Sequence, residues 1–182
     1  MSRVRFPWLV VAGAMGASVL VGCSDDEKSG ALELPSSTCF GVFTPAELAP
    51  FVGSGDEARV DSPGDLRLTA GRNRATCNIE VDGKPRLTAS AGRRPPGQEV
   101  SWGSEVEKHH PEALPYIGNS KLWDSGAAVV LGCTGPSGEA FDLTLFIDAV
   151  PDGLKQGERR PAFATLMKKF MESARQQAGC GP

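Results

Sequence analysis

Alternating apolar and polar residues predict strands through the middle of the chain. Five runs show a period of two, each with one apolar face. The apolar faces are Leu66, Leu68 and Ala70; Cys77, Ile79 and Val81; Leu87, Ala89 and Ala91; Val129, Leu131 and Cys133; and Phe141, Leu143, Leu145 and Ile147. Asp82 and Gly83 separate the second and third runs and tolerate the positive φ of a tight hairpin turn. The pattern therefore predicts an antiparallel sheet of about five strands.

Helical signals lie on either side of these strands. Thr44, Pro45 and Glu47 form a start signal, with a capping box and a proline at the first position. Gly53 can end this short helix, which contains Pro50. A longer helix over 161–179, with Gly179 as its stop signal, has one apolar face, made of Phe163, Leu166, Met167, Phe170 and Ala174. The sequence thus predicts an α+β fold, with a short N-terminal helix and a longer C-terminal helix packed on the sheet.

The first 22 residues have the pattern of a secretion signal. Arg3 and Arg5 precede an uncharged, mostly apolar run of roughly 17 residues. This run is short for a membrane span and is interrupted by Pro7 and by glycines, so we expect cleavage and not a permanent transmembrane helix. Residues 1–22 are predicted to be a signal peptide.

Leu20, Val21, Gly22 and Cys23 resemble the bacterial lipobox. The resemblance implies that Cys23 is lipidated on its sulfur and becomes the mature N-terminus, and that two or three acyl chains anchor the protein stably in a membrane. An ordinary signal peptide with an incidental cysteine is the alternative.

Residues 23–37 follow as a polar, acidic segment with little to bury, which predicts a flexible tether with a coil dimension of roughly 20 Å. Residues 38–182 are predicted to form a single domain. Loss of residues 1–22 leaves 160 residues with a net charge of −5. This balance disfavours a basic surface for nucleic acid.

Four cysteines remain after Cys23 is assigned to lipid. An even number outside the cytoplasm predicts two disulfides, and sequence alone allows three pairings. Positions in the predicted elements favour Cys39 with Cys77 and Cys133 with Cys180, each fastening a helix end to the sheet. No spacing typical of a zinc site occurs among them.

The 92–126 connection between two predicted strands is unusually long and contains four prolines. It carries Trp102, Tyr116 and Trp123, which are candidates for an aromatic platform that binds sugar or peptide; covering the second side of the sheet is the alternative. Glu105, Glu107, His109 and His110 are also close in sequence, but no second cluster completes a coordination shell, so we expect no metal.

No familiar catalytic motif is present. The sequence lacks a G-x-S-x-G elbow, S-x-x-K and H-E-x-x-H, and the 53–58 stretch follows a predicted helix, unlike a dinucleotide loop. We expect no cofactor and assign no catalytic residue. A Ser-His-Asp arrangement assembled from distant residues stays open.

The lipobox, the acidic tether and the stretches "TCFGVFTPAELAPFV", "RATCNIEVDG", "VVLGCTGP" and "LMKKFMESARQQAGC" together look like small secreted lipoproteins of uncharacterised function from actinobacteria. The resemblance implies a disulfide-bearing domain at the extracytoplasmic face of the cell membrane and identifies no activity. We expect a non-catalytic module that binds an envelope protein or a cell-wall ligand. A surface hydrolase with an unrecognised active site, or a sensory or transport accessory protein, is the alternative.

Overall fold

The computed structural model describes residues 32–69, 71–133, 139–149 and 153–178. The elements in chain order are α1 Pro45–Val52, β1 Ala58–Asp61, β2 Arg74–Val81, β3 Lys84–Arg94, α2 Gly103–Glu107, β4 Ser120–Trp123, β5 Gly126–Gly132, β6 Ala140–Ile147 and α3 Gln156–Ala178. The predicted α+β class is confirmed, with a short N-terminal helix and a longer C-terminal one.

The strands form one antiparallel sheet in the order β1-β2-β3-β6-β5-β4. Two three-stranded meanders, β1-β2-β3 and β4-β5-β6, therefore meet where β3 pairs with β6, in a register that places Ala89 opposite Leu145 and Ala91 opposite Leu143. The chain between β3 and β4 must cross from the middle of the sheet to its far edge. Residues 95–119 make this crossing; the predicted 92–126 connection was too long, because it includes the end of β3, the whole of β4 and the first residue of β5.

The main core lies on one face of the sheet, beneath α1 and α3. The alternating residues Leu143 and Leu145 of β6 are fully buried in the same cluster as Phe163 and Phe170 of α3. Phe51 of α1 meets Phe163 edge-on, with ring centroids 4.8 Å apart. The predicted apolar stripe of the C-terminal helix is thus core, because every member is buried.

The turn and helix-start signals of the sequence lie at the ends of the elements that they predict. Asp82 and Gly83 adopt positive φ values of 52° and 70° in the β2–β3 hairpin, as the turn requires. At the start of α1, the Glu47 carboxylate accepts hydrogen bonds from the Thr44 N–H and the Thr44 hydroxyl, each at 2.8 Å. The Glu47 half of the predicted capping box is therefore present.

The strand predicted at 66–70 is wrong for the residues described, 66–69, which form no strand. Leu66 is buried in the core, but its N–H donates to Gln177 Oε1 of α3 at 2.7 Å instead of to a neighbouring strand. The edge strand is instead β1, which is too short for its period-two pattern to stand out. β4 is a further strand that the sequence did not predict, so the sheet has six strands and not five.

A disulfide joins Cys39 to Cys77 of β2, which is the predicted pairing. Cys133 directly follows β5 and is also disulfide-bonded. Its predicted partner, Cys180, lies outside the described residues. So do the predicted signal peptide at 1–22, Cys23 and residues 24–31 of the predicted tether.

The packed part of the chain begins earlier than the predicted domain start at residue 38. Leu32 and Leu34 are partly buried against the core, and the Thr38 hydroxyl donates to Pro35 O at 3.0 Å. Leu32 and Leu34 of the predicted tether therefore pack with the domain, while residues 33 and 35–37 are exposed. Among the described helices, none combines the length and the apolar character that crossing a membrane requires.

Candidate functional site

The candidate site lies on the face of the sheet opposite α1 and α3, which we call the outer face. Strand alternation places Thr88 and Ser90 of β3 and Thr144 and Phe146 of β6 on it. The Thr144 and Ser90 hydroxyls are hydrogen-bonded at 2.7 Å, and the Thr88 hydroxyl donates to Asn78 Oδ1 at 3.1 Å. The middle of the outer face is therefore polar and built from short side chains.

The start of the β3–β4 connection is fastened to this face by Arg94. Its Nε donates to Asp142 Oδ1 of β6 and its Nη1 to Glu99 O, both at 2.8 Å. The side chain of Arg94 is only 11% exposed, and its contact with Asp142 is partly buried. This anchor directs the following residues over the β4–β6 half of the outer face.

The single-turn helix α2 is held above that half by two contacts with β4. Lys121 Nζ lies 3.0 Å from Glu107 Oε1. Just after α2, the His109 imidazole stacks on the Trp123 indole, with ring centroids 6.1 Å apart and planes 16° from parallel. Because α2 sits above the sheet without closing onto it, a groove is left between them.

This outer-face groove has a volume of about 480 Å³. One wall is α2 and the residues after it, namely Glu105, Val106 and His109; the floor is Ala128 of β5 with Thr144 and Phe146 of β6. Trp123, Ser125, Ile147 and Asp148 complete its lining. A volume of this size falls within the range of small-molecule sites, and the lining is largely apolar with a few polar groups, as is usual for them.

The groove wall is rigid at Trp123. A Cβ placed on Gly126 would lie 2.6 Å from Trp123 Cζ2 and 2.8 Å from Cε2, so the indole packs directly on the backbone of Gly126. With His109 stacked on the ring as well, Trp123 is only 6% exposed. Trp123 can therefore shape the groove and report on it, but little of its ring is left to receive a ligand.

Most charges around the groove are already paired. Lys108 Nζ bonds the Glu105 carboxylate, and that hydrogen bond is the main cause that holds the pKa of Glu105 below its ordinary value. Lys121 is paired with Glu107. Asp148 is exposed and forms no ion pair with any residue in the described ranges.

The three predicted aromatic residues do not form one platform. Trp123 lies in the groove, whereas Trp102 is half-buried at the start of α2 and is not part of the groove lining. Tyr116 lies on the helix side of the sheet, where its hydroxyl donates to Ala164 O of α3 at 2.7 Å. Burial raises the pKa of Tyr116 to about 12. Trp123 covers the outer face of the sheet, which is the alternative role considered for these aromatic residues.

Glu105 and Glu107 of α2 and the two histidines that follow the helix do not gather into a metal site. Within the residues that the structure describes, no group of three or more His, Cys, Asp or Glu side chains could hold an ion. His109 packs on Trp123, and the neighbouring His110 is exposed with a φ of 48°.

A second, smaller cavity of about 350 Å³ lies beside the disulfide, between residues 35–41 and 60–64. Ser62 Oγ accepts a hydrogen bond from Phe40 N–H there at 3.1 Å. Cys39 lines the cavity but is only 1% exposed, so the disulfide is shielded.

Phe146 and Asp148 are among the groove residues that the sequence did not single out. The outward position of Phe146 follows from the alternation of β6, since its neighbour Ile147 faces the core, and Asp148 comes directly after that strand. The sequence did contain a signal for this site, because Phe146 is an apolar residue on the otherwise polar outward face of β6. No family model, curated protein or solved structure matches this chain.

Proposed function

We propose that this protein is a small secreted lipoprotein of the actinobacterial type, anchored through Cys23 at the extracytoplasmic face of the cell membrane, and that its domain is a non-catalytic binding module. The module takes its ligand, which belongs to the cell envelope, in the outer-face groove.

The groove is the observation that supports a binding role. It combines a small-molecule volume with an apolar floor at Ala128 and Phe146 and polar groups at Thr144 and Ser125. Its walls are held in place by contacts within the protein, namely the Lys121–Glu107 ion pair and the His109–Trp123 stack. A preformed site of this kind avoids the ordering cost of binding.

The anchor is supported by the sequence layout, and a disulfide suits an oxidising compartment. The test is the intact mass of the protein recovered from the membrane fraction. We expect a chain that starts at Cys23 and carries added acyl mass, and a Cys23→Ser variant without that mass. A wild-type mature chain with no lipid would contradict the anchor.

The binding role is tested by a photo-crosslinking residue placed at Phe146 in living cells. A matched control carries the same residue at Glu80, which is also on the outer face but lies on β2, away from the groove. We expect a discrete envelope-derived adduct from position 146 and none from position 80. Equal adducts from both positions, or none from position 146, would contradict a ligand site in the groove.

A further inference from the structure

We infer that the ligand of the outer-face groove is a small organic cation, with a primary ammonium group on an apolar body. This inference rests on the proposed function, because it names the ligand class of the same site. It is carried by the position of Asp148 at the end of an apolar groove.

The apolar body is matched by the groove floor and wall. Ala128 is fully buried beneath the groove, and the ring of Phe146 is half-buried beside it. Val106 of α2 faces them from the other side. Transfer of a short alkyl chain onto this surface is favourable by about 25 cal/mol for each Å² of apolar area removed from water.

The charges around the groove favour a ligand with a positively charged ammonium group. Two lysines lie close to the groove, but Lys121 is paired with Glu107 and Lys108 with Glu105. Asp148 adds a further negative charge that has no ion-pair partner among the described residues. Arg86 of β3 comes next to Asp148 in the β3–β6 register, because Leu87 lies opposite Ile147, but Arg86 does not line the groove and no ion pair joins the two side chains.

The lining of the groove shows where this charge lies. Asp148 directly follows β6 and lines the groove together with Phe146. A ligand with its alkyl chain on Phe146 can thus place its terminal ammonium beside the Asp148 carboxylate. A carboxylate in that position would be repelled by Asp148.

The test uses fluorescence of Trp123 in a Trp102→Phe variant of the processed chain, residues 23–182, in which Trp123 is then the only tryptophan. Hexylammonium, hexanol and hexanoate are titrated separately at neutral pH and low ionic strength. We expect hexylammonium to bind most tightly and hexanoate most weakly. Raising the salt concentration from about 0.01 M to about 1 M should weaken the binding of hexylammonium and not that of hexanol, because salt screens exposed charges.

The variant Asp148→Asn should lower the affinity for hexylammonium by about two- to fivefold, which is the range for one partly exposed ion pair. The affinity for hexanol should stay unchanged. Asp61→Asn is the matched control, since Asp61 is exposed on β1 at the opposite edge of the sheet. A Phe146→Ala variant should weaken all three probes.

The outcomes separate the two proposals. Equal binding of the three probes, or an Asp148→Asn effect no larger than that of Asp61→Asn, would overturn the ligand class and leave the groove as a binding site. Binding of none of the probes would overturn the ligand class, whereas the use of the groove is decided by the crosslinking experiment at position 146.

Discussion

Lys169 Nζ of α3 lies 2.6 Å from each carboxylate oxygen of Glu47 of α1. The same carboxylate accepts the Thr44 N–H, so one side chain both closes the start of α1 and joins the two helices above the sheet. The hydrogen bond from Lys169 is the largest of the effects that lower the pKa of Glu47 from 4.5 to about 2.

This pair predicts a stability that depends on pH. Because the folded pKa of Glu47 is below its ordinary value, its contribution is complete above about pH 5 and is lost as the pH falls toward 2. A Lys169→Met variant should lose about 0.2–1 kcal/mol of unfolding free energy at neutral pH, since both side chains are partly exposed. The difference from the wild type should shrink in urea titrations at progressively lower pH.

Lys168→Met is the control for this prediction, because Lys168 is exposed on the same helix turn and has no ion pair with a residue of the described ranges. A Lys169→Met effect that matched the control, or that stayed constant down to pH 2, would show that the pair does not stabilise the fold.

Gly126→Ala should disturb the groove wall and the sheet together. The new Cβ would lie 2.6 Å from Leu145 O and from Trp123 Cζ2, and the backbone carbonyl in β6 cannot move away alone. We expect a loss of about 1–3 kcal/mol, typical of overpacking, with greater exposure of Trp123. Urea unfolding and acrylamide quenching measure the two effects. The control is Gly132→Ala, because a Cβ at this position of β5 meets open space. The control should change neither the free energy of unfolding nor the exposure of Trp123. Similar behaviour of the two variants would contradict the packing described.

Ser120 holds the end of the long connection against β4. Its buried hydroxyl accepts the Leu114 N–H at 2.9 Å and donates to Ile117 O at 2.7 Å. A Ser120→Ala variant leaves a buried donor without its partner, so the free energy of unfolding should fall by about 1–3 kcal/mol. Hydrogen exchange at the Leu114 amide should accelerate. An unchanged exchange rate would mean that the loop is held by other contacts.

The Cys39–Cys77 disulfide closes a long loop, with a sequence separation of 38. In the chain-entropy model a loop of this length contributes about 4 kcal/mol, and about 2–4 kcal/mol is typical in practice. A Cys39→Ala, Cys77→Ala double variant should therefore unfold at much lower urea concentration than the wild type. A loss below about 1 kcal/mol would indicate that the unfolded chain is already compact around these residues.

Much of the fold could be predicted because local chemistry and tertiary packing agree. Cys77, Ile79 and Val81 alternate in sequence and are all fully buried, and Asp82-Gly83 turns the hairpin. The stripe from Phe163 to Ala174 also packs as the 3.6-residue period indicates. In these segments no long-range contact overrides the pattern.

The missed elements depend on contacts between distant residues. β1 and β4 have four residues each, too few for a clear period, and exist because β2 and β5 pair with them. Leu66 and Leu68 alternate like a strand, yet Gln177 of α3 takes the Leu66 N–H. The groove was unpredictable for the same reason, since α2 has no buried residue of its own and is positioned by β4.

The packing of Leu32 and Leu34 has a consequence for where the domain can act. Only eight residues separate Cys23 from Leu32 in the sequence. Even at the maximum of about 3.3–3.6 Å per residue, the Cα atoms of those two residues are at most roughly 32 Å apart. With Cys23 lipidated, the body of the protein would be confined to a thin shell next to the bilayer surface. Molecules reaching the groove would have to diffuse through that shell or already belong to the membrane.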